Sequence, residues 1–210
     1  ALHNAAYREA VGFLKEALAI ANPSKTPAVQ RAHWQRLLAQ AYFGLGQPAQ
    51  SRPHFEQALA LLGLKIPTTT VVLLRRLVKQ FVNYLWFRLR PPALASDTRR
   101  THLLETIRSY RGLGLILYTT SETLSLLTIS LHGFNLALSV GPSPELVSAH
   151  VGMKLICRQV GLHNWAEQSY KQAYQIALNH QSSLAWVLLT GQMFNIGYRP
   201  WVEIQNTLEE

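Results

Sequence analysis

From Trp34 to Pro67 the apolar residues fall into two stripes of helical spacing, separated by Gly46-Gln47-Pro48. On the first segment Leu38, Tyr42 and Leu45 share a face; on the second Phe55, Ala58, Leu59 and Leu62 do so. Apolar positions three and four apart mark one side of an amphipathic helix. The glycine ends the first helix, and the proline cannot continue it. Ser51 and Ala58 are small where two antiparallel helices must approach closely. The pattern predicts a helical hairpin that cannot bury its own apolar faces and needs a neighbour on each side.

The same spacing recurs along the chain. Leu38, Tyr42, Gly46, Ser51, Phe55 and Ala58 are separated by 4, 4, 5, 4 and 3 positions, and Met153, Cys157, Gly161, Ala166, Tyr170 and Ala173 repeat that ruler. Leu189, Met193, Gly197, Val202 and Asn206 follow it until the chain nearly ends, while Ala10, Leu14 and Ala17 match its second half. Laid on Leu113, Leu117, Ser121, Leu126, Ser130 and Gly133 it fits poorly, which predicts a degenerate pair there. The order large, aromatic, glycine, small, aromatic, alanine resembles the tetratricopeptide repeat (TPR), a helical hairpin of roughly 34 residues. The resemblance implies an all-α fold: a right-handed superhelix of about ten antiparallel helices in TPR-like hairpins, forming one domain over residues 1–210.

In chain order, helices are expected over 4–20, in the hairpin 28–63, and over 68–90, 98–118, 121–140, 145–160, 163–179 and 183–196, with a last one from about 200 onward. Pro91-Pro92 breaks the series, and Gly141-Pro142-Ser143-Pro144 does so again, with Ser143 placed to cap a helix whose first residue is Pro144. Residues 68–90 are the most apolar run. Arg75, Arg76 and Lys79 lie mid-run, and each would cost roughly 2.5–3.5 kcal/mol inside a bilayer, so a membrane span is rejected. The run is expected to be a repeat helix buried on Leu74, Leu77, Val78, Phe81, Leu85 and Trp86, the alternative being a basic amphipathic helix lying on a membrane.

Composition sharpens this picture in three respects. A hydrophobic content of 48% in 210 residues is enough for a core and argues against wholesale disorder. One cysteine, Cys157, excludes a disulfide framework and fits a reducing, cytoplasmic setting. The formal net charge is +9, and between Glu56 and Asp97 no acid intervenes among Lys65, Arg75, Arg76, Lys79, Arg88 and Arg90. Such a stretch suits nucleic acid, anionic lipid or an acidic protein face, or is a solvated basic face. The chain opens in what reads as the second helix of a repeat and stops inside another, as a piece of a longer polypeptide would.

Signatures of catalysis are missing from the sequence. There is no GxxxxGKS or GxxxxGKT loop, and Gly112-Leu113-Gly114 falls inside a helix. The eight histidines form no pair at i, i+4; His102 and Glu105 share a helix face but show no third ligand. The eleven acids are dispersed, and no strand-turn context supports a nucleophile. No catalytic residue, cofactor or metal is expected. The expected role is contact through a groove lined by the first helix of each pair, with His33, Arg36, Gln40, Phe43, Arg158, Gln159 and Asn195 as its candidate residues.

A narrower resemblance covers most of the chain. Asn135-Leu136-Ala137, the turn from Gly141 to Leu146, and Gly161-Leu162-His163 followed by Ala166 and Tyr170 resemble passages in the helical region of large bacterial multidomain signalling ATPases. In that family the helical region lies C-terminal to an AAA-type or STAND-type ATPase, often with a nucleotide cyclase or protein kinase at one end. The resemblance implies a non-catalytic regulatory region whose partner is its own ATPase or effector module, or a peptide. The alternatives are a stand-alone peptide-binding adaptor, or binding of nucleic acid or anionic lipid through residues 65–90; neither nucleic acid nor a membrane surface is the expected partner.

Overall fold

The computed structural model describes residues 2–67 and 69–178, and all its regular structure is helical, with no strand among the described residues. Eight helices follow one another: α1 (Leu2–Ile20), α2 (Ala28–Gly44), α3 (Pro48–Leu61), α4 (Thr70–Leu89), α5 (Asp97–Thr119), α6 (Thr123–Val140), α7 (Pro144–Gln159) and α8 (His163–Leu178). The last two helices expected from the sequence, including Asn195, lie outside the described residues. The described residues divide after Ser139 into two compact units.

In the first unit α2 and α3 form the hairpin that the pattern requires. Leu38, Tyr42, Phe55 and Ala58 are buried, and Ser51 is fully enclosed. The Ser51 hydroxyl donates to the Ala39 carbonyl at 2.7 Å, so a small side chain both permits the close approach and satisfies its own polar group. α1 packs on the outside of α2, and α5 packs against both α2 and α3. The resulting core joins Ala39, Phe55 and Leu59 of the hairpin to Tyr110, Leu113, Ile116 and Leu117 of α5 and Ile129 of α6. In the second unit α7 and α8 form another hairpin around Val147, Val151, Ala173 and Ala177. Ser143 caps α7 by accepting from the Leu146 amide at 3.2 Å, with Pro144 in the first turn.

The turns carry the repeat more faithfully than the side chains do. At Gly46 (φ +74°) the amide bonds to the Phe43 carbonyl and the next amide, of Gln47, to Tyr42, both at 2.9 Å. At Gly161 (φ +79°) the same two bonds run to Arg158 and Cys157 at 3.1 and 2.7 Å. At Ser121 (φ +59°) they run to Tyr118 and Leu117 at 3.2 and 2.9 Å. The α5–α6 pair, which the ruler fitted poorly, therefore keeps the register: Leu113 and Leu117 are buried, and a serine takes the left-handed position usually given to glycine. Helix α6 then starts at Thr123 rather than at Ser121.

The other correction concerns α4. Its buried stripe is Leu73, Gln80 and Tyr84, with Leu77 and Phe87 half-buried. Leu74, Val78, Phe81, Leu85 and Trp86, expected in the core, face solvent. The reason is polar. The Asn135 amide of α6 donates to the Gln80 backbone carbonyl at 2.8 Å and to its side-chain oxygen at 3.0 Å, and Tyr84 packs edge-on against Phe134. That amide pair fixes which way α4 is turned, against the stronger apolar stripe.

Left-handed backbone costs a non-glycine residue about 1 kcal/mol or more. Ser121→Gly is therefore expected to leave stability unchanged or raise it by up to about 1 kcal/mol, whereas Gly46→Ala lowers it by about 1 kcal/mol. Urea midpoints measure both; a clear loss with Ser121→Gly would contradict the assignment of that turn.

Candidate interaction surface

Helix periodicity places His33, Arg36, Gln40 and Phe43 on one side of α2, at steps of three and four. Two of them, His33 and Arg36, meet Glu105 of α5, and Gln40 joins them through Arg36. The Arg36 Nε donates to Glu105 Oε1 at 2.5 Å, Nη1 donates to Gln40 Oε1 at 2.9 Å, and Nη2 lies 3.0 Å from His33 Nδ1. The same His33 nitrogen is 3.2 Å from Glu105 Oε2. Bare, it accepts from Arg36; protonated, it donates to Glu105. Arg36 and Glu105 are both almost wholly buried, where an ion pair survives only with its hydrogen bonds filled. This network joins α2 to α5 and commits the guanidinium internally. Phe43 is partly exposed beside it. Glu105, 69 residues from Arg36, carried no sign of this role in the sequence.

On the second unit Arg158 lies partly buried on α7, and Gln159 is the last residue of that helix, its side chain outside the described residues, as is Asn195. Lys154 is buried on the same helix with its Nζ 3.8 Å from the centre of the Tyr170 ring. Burial raises the Cys157 thiol above its ordinary pKa, as for a small core hydrophobe rather than a reactive thiolate.

A cleft of about 430 Å³ opens beside α3, lined by Arg52, Glu56, Lys65, Pro67, Glu122 and Ser125 among others. Arg52 bonds Glu56 at 2.8 Å and grips both oxygens of Glu122, which also accepts from the Thr120 hydroxyl at 3.0 Å. The Arg52 hydrogen bond is the main cause holding the Glu122 carboxyl below the usual range. The cleft's charges are thus largely satisfied by one another, and they pin α3 to the α5–α6 turn.

Among the described residues α4 carries the longest series of exposed large apolar side chains. Val71, Leu74, Val78, Phe81, Val82, Leu85 and Leu89 are exposed, Val71 at 78% and Leu89 at 84%. Trp86 is 56% exposed, and Leu94 in the following loop is 70% exposed. Arg76 reaches back to the Lys65 carbonyl at 2.6 Å, tying the start of α4 to the loop before it. Behind α4, His132 of α6 lies 3.0 Å from the Tyr110 hydroxyl, which donates to Nδ1 when the ring's proton sits on Nε2. Burial first, then Arg76 and Lys79, push His132 down to about 4. Burial raises Tyr110 to about 12, so its hydroxyl keeps its proton. Helix α6 is itself long and apolar enough to cross a membrane by length and composition, yet its Ile129 joins the core and its Asn135 is bonded to Gln80.

Because folded His132 resists protonation, the unfolded chain binds its proton first as pH falls. The neutral form's contribution is complete above about pH 6.5 and is lost between there and about pH 4, of the order of 2–3 kcal/mol. Urea unfolding at pH 7 and pH 4.5 is expected to show this loss, and His132→Gln, which keeps an acceptor for Tyr110, to shrink it. A variant as acid-sensitive as the parent would contradict the assignment.

Compared with known proteins, this chain matches no family model, no curated protein and no solved structure.

Proposed function

We propose that this chain is a non-catalytic interaction and regulatory region, a right-handed superhelix of TPR-like hairpins from a multidomain cytoplasmic signalling ATPase. The observation that supports it best is the turn closure repeated at Gly46, Ser121 and Gly161, each with left-handed backbone and the same two hydrogen bonds. The same closure also ends α3 at Gly63, where the Gly63 and Leu64 amides bond to Ala60 and Leu59 at 3.0 and 2.8 Å, so it is its recurrence inside α2–α3, α5–α6 and α7–α8 that fits a chain built by stacking one unit. In this reading α2–α3, α5–α6 and α7–α8 are the hairpins, and α4 is an extra helix inserted between the first and second. The partner is the ATPase or effector module of the same polypeptide, contacted through the helix surfaces.

A stand-alone adaptor that clamps peptide carboxylates is the weaker reading, because Arg36, the cation best placed for a clamp, is already held by Glu105. The test has two arms. The purified chain is expected to release no phosphate from ATP above background, and calorimetric titration with acidic peptides is expected to show no carboxylate-dependent binding. Turnover by the pure chain would contradict the non-catalytic reading. Tight binding lost on amidating the peptide's C-terminus would favour the adaptor. In the coding sequence upstream of Ala1 a phosphate-binding GxxxxGKS or GxxxxGKT loop is expected; another kind of domain there would remove the ATPase assignment.

A further inference from the structure

We propose that the outer face of α4 is a docking surface for an anionic lipid bilayer, with the helix lying in the plane of the membrane interface. Twenty residues at 1.5 Å each give a ridge about 30 Å long. At 100° per residue, Phe81, Leu74, Leu85, Val78, Val71, Leu89 and Val82 fall within one arc of roughly 100°. All seven are exposed. Next to that arc come Arg75, Trp86, Lys79 and Arg90. The opposite side is occupied by Leu73, Gln80 and Tyr84, and the Gln80–Asn135 amide pair holds it to α6. The apolar arc is thus held outward by a polar contact behind it.

Charge selects the occupant. No acid lies between Glu56 and Asp97, so the face meets its partner with cations only. A second copy docked face to face would set like charges at the margins of the same apolar strip. Nucleic acid would satisfy the cations but leave seven large apolar side chains in water. An acidic amphipathic helix would need a groove to lie in, and this face is the crest of one helix; the cleft found on this unit lies instead at Arg52 and Glu122. An anionic bilayer satisfies both features, since apolar side chains enter the acyl boundary while arginine and lysine stay at the headgroups. Trp86 and the exposed Leu94 just beyond the helix extend the same surface.

Flotation of the 210-residue chain with vesicles of phosphatidylcholine, with and without phosphatidylserine, tests the proposal. Binding is expected to the phosphatidylserine vesicles, at least about tenfold stronger than to phosphatidylcholine alone, and to weaken with salt. Arg75→Glu and Lys79→Glu should each weaken it about fivefold or more. Leu74→Asp with Val78→Asp, both at exposed positions, should abolish it while leaving the circular dichroism spectrum unchanged. Quenching of tryptophan emission by brominated lipid should be reduced in Trp86→Phe. Absence of flotation would overturn the proposal, as would flotation indifferent to both pairs of substitutions. A dimer in sedimentation that Leu74→Asp with Val78→Asp dissolves would assign the face to a second copy. Retention by DNA or by an acidic helical peptide without flotation would assign it to those partners.

Discussion

The ring of Phe55 lies on the backbone of α5 at Gly112, so close that a Cβ there would stand 2.2 Å from the ring's Cζ. Most of the first unit follows from that approach. The α2–α3 hairpin has more apolar face than its two helices can hide from each other, and α5 covers it. With a side chain at position 112, α5 would be held off and Leu113, Ile116 and Leu117 could not close over Phe55 and Leu59. On either side of this seam stands an ion pair, Arg36 with Glu105 and Arg52 with Glu122. The buried pair is weak evidence for stability, since its desolvation offsets much of its attraction. Its geometric demands instead fix how α2 and α5 are set against each other.

The parts of the fold legible in the sequence are those where local and tertiary preferences agree. Leu38, Tyr42, Gly46, Ser51, Phe55 and Ala58 could be read because the residues that make the helices amphipathic also make the hairpin pack. The α5–α6 pair was obscured at several positions, with Leu126 where a small residue is expected, Ser130 where an aromatic is, and Ser121 where glycine is, although the Ser121 backbone does what glycine does elsewhere. Helix α4 was misread for a different reason. Apolar residues surround much of its circumference, so periodicity alone favours the stripe through Leu74, Val78, Phe81 and Leu85, yet a pair of amides, Gln80 and Asn135, decides the orientation. Asn135 stood out in the sequence only as part of a resemblance; its contact with a helix 55 residues away could not be read from spacing.

The candidate contact residues show the same division. His33, Arg36 and Gln40 were legible as one face of one helix, and the structure brings them together. What sequence could not supply was the acid opposite, and Glu105 turns a would-be ligand-binding cation into an internal tie. The cations of α4 meet no such acid along their own stretch of chain. The two surfaces thus differ in their chemistry: charge on α2 is neutralised within the fold, whereas charge and apolar area on α4 both face outward.

The packing of Phe55 on Gly112 is tested most directly by a double-mutant cycle read from denaturant unfolding. Alanine for glycine inside a helix ordinarily stabilises by about 1 kcal/mol. Here Gly112→Ala is expected to destabilise by about 1–3 kcal/mol through overpacking, and Phe55→Leu in the same chain to recover part of that loss, with a coupling of at least about 0.5 kcal/mol. A stabilised Gly112→Ala variant, or two substitutions whose effects simply add, would contradict the seam on which the first unit is built.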